Sequence, residues 1–109
     1  MNWQHIDSVT DIEAIIDRSR LVTCLILKHS TRCPISSMAK SRLEMNWDMG
    51  ETEVEPYFLD LIRYRDISNH IADTFGVQHE SPQAILIKDG IAIYDASHLN
   101  IRVDDMRIT

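Results

Sequence analysis

Hydrophobic positions along the chain change period several times, and each change marks an element. In "SVTDIEAIIDRS" the residues Val9, Ile12, Ile15 and Ile16 share one helical face, with Ser8 placed to cap the helix. "LVTCLILKH" then runs apolar without a break, the mark of a strand buried on both faces of a sheet. From Cys33 to about Asn46 the pattern predicts a second helix, with Ile35, Met38, Ala39 and Met45 inward and Lys40, Arg42 and Glu44 outward. Gly50 closes that region. "VEPYFLDL" is a second buried strand, entered through Pro56. "RDISNHIADTFG" puts Ile67, Ile71 and Phe75 on one helical face, with Gly76 at the C-terminal cap. "QAILIKDGIAIYDA" reads as two strands around Asp89-Gly90, a strong hairpin signal. "NWQHI" offers a short first strand and "IRVDDMRIT" a short last helix.

The predicted order is therefore β-α-β-α-β-α-β-β with a closing helix. The handedness of βαβ crossovers makes the first part a parallel sheet with helices on both faces, and the hairpin adds antiparallel strands. A chain of 109 residues suffices for one such domain, residues 1–109, and one core. No repeat, linker or low-complexity segment interrupts it.

Composition narrows the function more than the fold. With 44% hydrophobic and 26% charged residues the chain reads as an ordinary globular protein. No apolar run approaches the ~20 residues of a membrane helix. The start, "MNWQHIDSVTD", lacks the basic-then-apolar order of a secretory signal, so a cytoplasmic protein with no membrane partner is expected. A net charge of −6 argues against a nucleic-acid partner, which would need a basic stripe. Two cysteines, Cys24 and Cys33, are too few for a disulfide framework and match no zinc spacing. His5, His70, His79 and His98 show no metal-ligand spacing either, so no metal site is expected.

Cys33 falls where a buried strand ends and a helix begins. Pro34 suits the first helical position, because its fixed φ and missing N–H cost nothing there. That makes Cys33 the N-cap, facing unpaired N–H groups and the positive end of the helix dipole. Arg32 adds a neighbouring cation and Ser36 a hydroxyl one turn along, and all of these favour the thiolate. Lowering a thiol pKa from ~8.5 to ~7 raises the thiolate fraction at neutral pH about sixteenfold. The loss of intrinsic nucleophilicity takes back roughly fivefold, so the larger advantage is a sulfur that both attacks and leaves readily. Cys24 lies mid-strand, roughly 15 Å from the junction at ~3.3 Å per residue, and reads as core filler. Pro82 opens the strand expected beside that of Cys33. A cis bond there would turn Ser81 toward the sulfur and offer its backbone to an incoming chain.

These two pieces, Cys33-Pro34-Ile35-Ser36 and a proline before a late strand, resemble the thioredoxin superfamily. Ser36 stands where the second cysteine of a dithiol motif would be. The longer runs "KHSTRCPIS" and "HESPQAIL" resemble the monothiol bacilliredoxins over nearly the whole chain. The resemblance implies a thioredoxin-like three-layer α/β/α sandwich with a mixed, mainly parallel sheet. It implies removal of bacillithiol from mixed disulfides on client proteins, with bacillithiol as co-substrate and no resident cofactor. Cys33 is then the attacking thiol, Ser36 replaces a resolving cysteine, Pro82 is the cis-proline and Ser81 its substrate-facing neighbour. Because Ser36 cannot attack, a second low-molecular-weight thiol or another reductase must regenerate the protein. Arg32 is a candidate to pair with the malate of bacillithiol. The tail "VDDMRIT" is short for the last helix of such folds, which leaves one sheet face thinly covered and favours a homodimer.

Two other functions remain open at this stage. Monothiol glutaredoxins use one cysteine to bridge an iron–sulfur cluster across a dimer, but with a Cys-Gly-Phe-Ser signature whose glycine gives room that Pro34 denies. A thioredoxin-like interaction module with an inert cysteine is the other. Among the remaining residues, His29 is expected to be satisfied at the strand end, and Met38, Met45 and Met49 to fill core. Glu51, Glu53 and Glu55 are expected to face solvent, and Trp3 and Trp47 to anchor packing.

Overall fold

Residues 1–50 and 52–107 are described by a computed structural model. Five strands and four α-helices follow the expected order: β1 (Gln4–His5), α1 (Val9–Arg18), β2 (Thr23–His29), α2 (Pro34–Asn46), β3 (Val54–Asp60), α3 (Arg65–Phe75), β4 (Gln83–Lys88), β5 (Ile91–Ser97) and α4 (Val103–Met106). A 3₁₀ turn, His98–Asn100, precedes α4. The sheet order is β1-β3-β2-β4-β5. The first three of these strands pair in parallel, and β4 and β5 join antiparallel.

β2 is central and every one of its residues is buried. Its alternating side chains divide the core. Cys24 and Ile26 meet Ile12 and Ile15 of α1 and Ile67 and Ile71 of α3. Leu25 and Leu27 meet Ala39 and Leu43 of α2 and Val103 and Met106 of α4. Local signals set the element ends. At the start of α1 the Asp11 carboxylate accepts the N–H groups of Asp7 and Ser8 at 3.0 and 3.2 Å. Gly76 ends α3 in the left-handed region at φ 66°. Asp89 and Gly90 turn the β4–β5 hairpin with φ of 53° and 76°, as a two-residue primed turn requires.

Four expectations need correction. The buried side of α2 is Ser36, Ala39 and Leu43, while Ile35, Met38 and Met45 are exposed. Apolar residues are spread over two arcs of this helix, and the sheet takes the arc whose small Ser36 and Ala39 allow close approach. Met38 and Met45 are therefore not core filler, whereas Met49, Trp3 and Trp47 do pack against the α2-side core. Glu55 is not solvent-facing: it lies within β3, paired with Arg18 at 2.9 Å and accepting hydrogen bonds from Gln4 and Tyr57. Glu53 is exposed, and Glu51 lies outside the described residues.

The α2 face of the sheet is also better covered than the short tail suggested. Ile101, Val103 and Met106 are each at most 4% exposed and close that side. A single helical turn suffices because the extended chain before it also buries a side chain. The argument for a dimer from missing cover therefore falls away. Among the described residues no helix is long and apolar enough to cross a membrane.

Candidate active site

The carboxyl end of β2 runs through a tight turn into α2, and Cys33 is the residue between them. Its N–H donates to the Ser30 carbonyl at 3.1 Å, and its own carbonyl accepts from the N–H groups of Ser36 and Ser37 at 3.1 and 3.3 Å. Cys33 is the N-cap, in extended conformation, and Pro34 opens the helix. The thiol is half-buried. It makes no capping hydrogen bond in this resting geometry. The N–H of Ser36, then that of Ile35, and the Ser36 hydroxyl nonetheless pull its pKa below the ordinary thiol value, against a smaller opposing effect of burial. Arg32 is exposed and is not among the causes, so the helix start and not that cation sets the thiol's acidity. Ser36 is wholly buried, and its hydroxyl accepts the Ser30 N–H at 3.3 Å. It thus ties the end of the strand to the first helical turn.

The segment before β4 reaches the same end of the sheet as the β2–α2 turn. In the β2–β4 register Lys28 faces Gln83, so Pro82, one step further, comes opposite His29. The Ser81–Pro82 peptide is cis. The Pro82 carbonyl accepts the His98 N–H at 2.9 Å, and the Ser81 hydroxyl is buried without a partner among the described residues. His29 differs from expectation. Its ring is buried against Phe58, centroids 5.1 Å apart, and its Nδ1 has no hydrogen-bond partner among the described residues. Burial first, and then Lys40, lowers its pKa. A cleft lined by His29, Ser37, Lys40, Glu44 and Phe58 flanks the first turns of α2.

Sequence reasoning passed over one group beside this site. Lys28 is fully buried, and its ammonium donates to the Ser68 carbonyl at 3.1 Å and meets His79 Nδ1 at 3.2 Å. The Ser68 hydroxyl meets the same Nδ1 at 3.1 Å. Burial pushes Lys28 down to about 8. The available signal was a lysine directly after the apolar residues Leu25, Ile26 and Leu27, inside a strand expected to be buried on both faces.

The two cysteines differ sharply. Cys24 is fully buried, and burial pushes its thiol up to about 12. A thiol reagent at neutral pH should therefore titrate one sulfur per native chain and two after denaturation. The alkylation midpoint should lie below that of a free thiol and vanish in Cys33→Ser. A second reactive thiol in the native protein would contradict this assignment.

A lone, acidified cysteine capping a helix at the carboxyl end of the central strand of a mixed sheet defines a thioredoxin-fold thiol–disulfide oxidoreductase. A solved structure of a protein with a thioredoxin fold is 30% identical over 95% of this chain and 89% of its own, with a TM-score of 0.81. Thioredoxin from Malassezia sympodialis matches over 98% of this chain and 86% of its own at 16% identity and a TM-score of 0.75. Mitochondrial thioredoxin 3 from Saccharomyces cerevisiae matches over 97% and 92% at 17% identity and a TM-score of 0.71. The last two likenesses concern the fold alone. The family model for monothiol bacilliredoxin BrxC matches residues 4–106, and the chain belongs to that family.

Proposed function

We propose that this protein removes bacillithiol from mixed disulfides on cytoplasmic proteins through Cys33. The reading rests on one observation above the others: an acidified, half-buried thiol whose helical neighbour, Ser36, is a buried hydroxyl and not a second thiol. The Cys33 thiolate attacks the bacillithiol sulfur of a modified client. The client–bacillithiol S–S bond breaks as the bond between Cys33 and bacillithiol forms. The client sulfur leaves as a thiolate and takes a proton from solvent. A second low-molecular-weight thiol then attacks the bacillithiol sulfur on Cys33 and restores the thiolate, leaving an oxidised low-molecular-weight disulfide.

The Ser81–Pro82 segment, at the same end of the sheet as Cys33, is suited to hold the extended client chain. Arg32 is exposed next to Cys33 and suits the malate carboxylates of bacillithiol. Membership of the monothiol bacilliredoxin family supports the choice of thiol. The test is the intact mass of the protein after incubation with a bacillithiol-modified client. One bacillithiol added to the protein, with the client returned to its free thiol, is expected. An unmodified protein beside an unchanged client would overturn the reading.

A further inference from the structure

Lys28 occupies a costly position. An ammonium with no exposure, in the central strand, with no carboxylate paired to it among the described residues, must be held by hydrogen bonds alone. Those bonds reach two places. One is the Ser68 carbonyl in α3, and the other is His79, in the segment that joins α3 to β4 and carries Ser81 and Pro82. The Ser68 hydroxyl converges on the same ring nitrogen, His79 Nδ1. With the Lys28 ammonium as donor, Nδ1 is the acceptor and the Ser68 hydroxyl can donate to it as well, an arrangement that fits a neutral ring with its proton on Nε2. Further along, the Gln83 side-chain amide donates to the Gln78 carbonyl at 2.9 Å, which ties the same segment to β4.

We propose that Lys28, Ser68 and His79 form a partly buried latch that positions the Ser81–Pro82 segment for the mixed disulfide. All three are positioning residues: none is seen to touch Cys33, and they act through the segment that reaches the same end of the sheet. The proposal rests on the exchange reading above and adds to it a determinant of client binding and a pH limit. Protonating His79 at Nδ1 would turn the shared acceptor into a third donor and set two cations 3.2 Å apart. The groups facing the ring are Lys28 from β2 and Arg65 from α3, which with burial as the largest cause lower its pKa, and Glu80 from its own segment, which raises it. The latch is therefore lost as pH falls through the titration of His79, and it keeps its ammonium up to about 8, where Lys28 gives up its proton.

The experiment compares wild type with Lys28→Met, His79→Leu and His79→Asn. Lys28→Met keeps the length of the side chain and removes the buried charge, so the fold is expected to survive. His79→Asn keeps an acceptor near Nδ1 that does not titrate. The substrate is a peptide carrying bacillithiol in mixed disulfide, and iodoacetamide alkylation of Cys33 is followed in parallel. Near neutral pH, Lys28→Met and His79→Leu should lower kcat/KM for the peptide about tenfold, mainly through KM, the scale of a modest misplacement. Their alkylation rates should stay at the wild-type value. His79→Asn should restore the neutral-pH rate and leave in the peptide profile only the acid limb that alkylation of Cys33 also shows, whereas wild type should fall more steeply for the peptide than for alkylation.

Unchanged peptide kinetics in folded Lys28→Met and His79→Leu would overturn the latch. So would an equal fall in alkylation, which would place the effect on the thiol itself. If wild type does not react with the peptide, the exchange reading fails, and nitrogen NMR of His79 still decides the latch. A neutral Nε2–H ring whose pKa rises in Lys28→Met supports it, and an Nδ1–H ring refutes it.

Discussion

Replacing Cys33 with serine should abolish the bacillithiol adduct and bring transfer down to the uncatalysed background. A hydroxyl at this position cannot form the disulfide that carries the bacillithiol. The fold should not suffer. Cys33 is the N-cap of α2 and makes no capping hydrogen bond, whereas serine is among the preferred N-caps and can accept the N–H of Ser36. Cys33→Ser is therefore expected to melt at or above the wild-type temperature while losing all transfer. Measuring both on one preparation separates chemistry from stability. Residual transfer above background would place the reactive sulfur elsewhere. Cys24 is a poor substitute, being buried with its thiol pushed up to about 12.

The converse substitution, Ser36→Cys, should change how the protein is regenerated. Ser36 sits one helical turn from Cys33, so the introduced thiol faces the bound bacillithiol from within the molecule. Well-oriented intramolecular groups reach effective concentrations of about 10⁵ M or more, against roughly millimolar free thiol in solution. Even a poorly aligned sulfur should win by orders of magnitude. The new thiol attacks the Cys33 sulfur, bacillithiol departs as a free thiol, and an internal disulfide remains. Wild type treated with a bacillithiol-modified client should thus accumulate the adduct. Ser36→Cys should show in its place a mass lower by two hydrogens, reversed by a dithiol reductant. A lasting adduct in Ser36→Cys would show that the buried position cannot reach the sulfur. The hydrogen bond from the Ser30 N–H to Ser36 would be weakened by the exchange, with a cost of about 1 kcal/mol for one such bond.

The reading of α2 shows where sequence information stops. Its start was legible, because a cysteine followed by proline after a buried strand is a local capping signal that needs nothing distant. Its inward face was not. Apolar side chains point along two arcs, and only the fit of small Ser36 and Ala39 against the sheet selects one, leaving Ile35, Met38 and Met45 exposed. The same limit governs Glu55, whose partners Arg18 and Gln4 are 37 and 51 residues away in the chain.

By itself the sequence determined the order of the elements, the Asp89-Gly90 hairpin, Gly76 at the end of α3, the junction that holds Cys33 and the proline before β4. Each follows from periodicity, capping or turn chemistry acting over a few neighbouring residues. Tertiary structure alone decided which face of α2 is buried, how Ile101, Val103 and Met106 cover the sheet, that His29 is buried with an unpartnered nitrogen, and that Lys28 meets His79 across 51 residues. These are matters of burial and of buried polar groups finding partners, and a buried charge takes its partner from whatever chain segment the fold brings beside it.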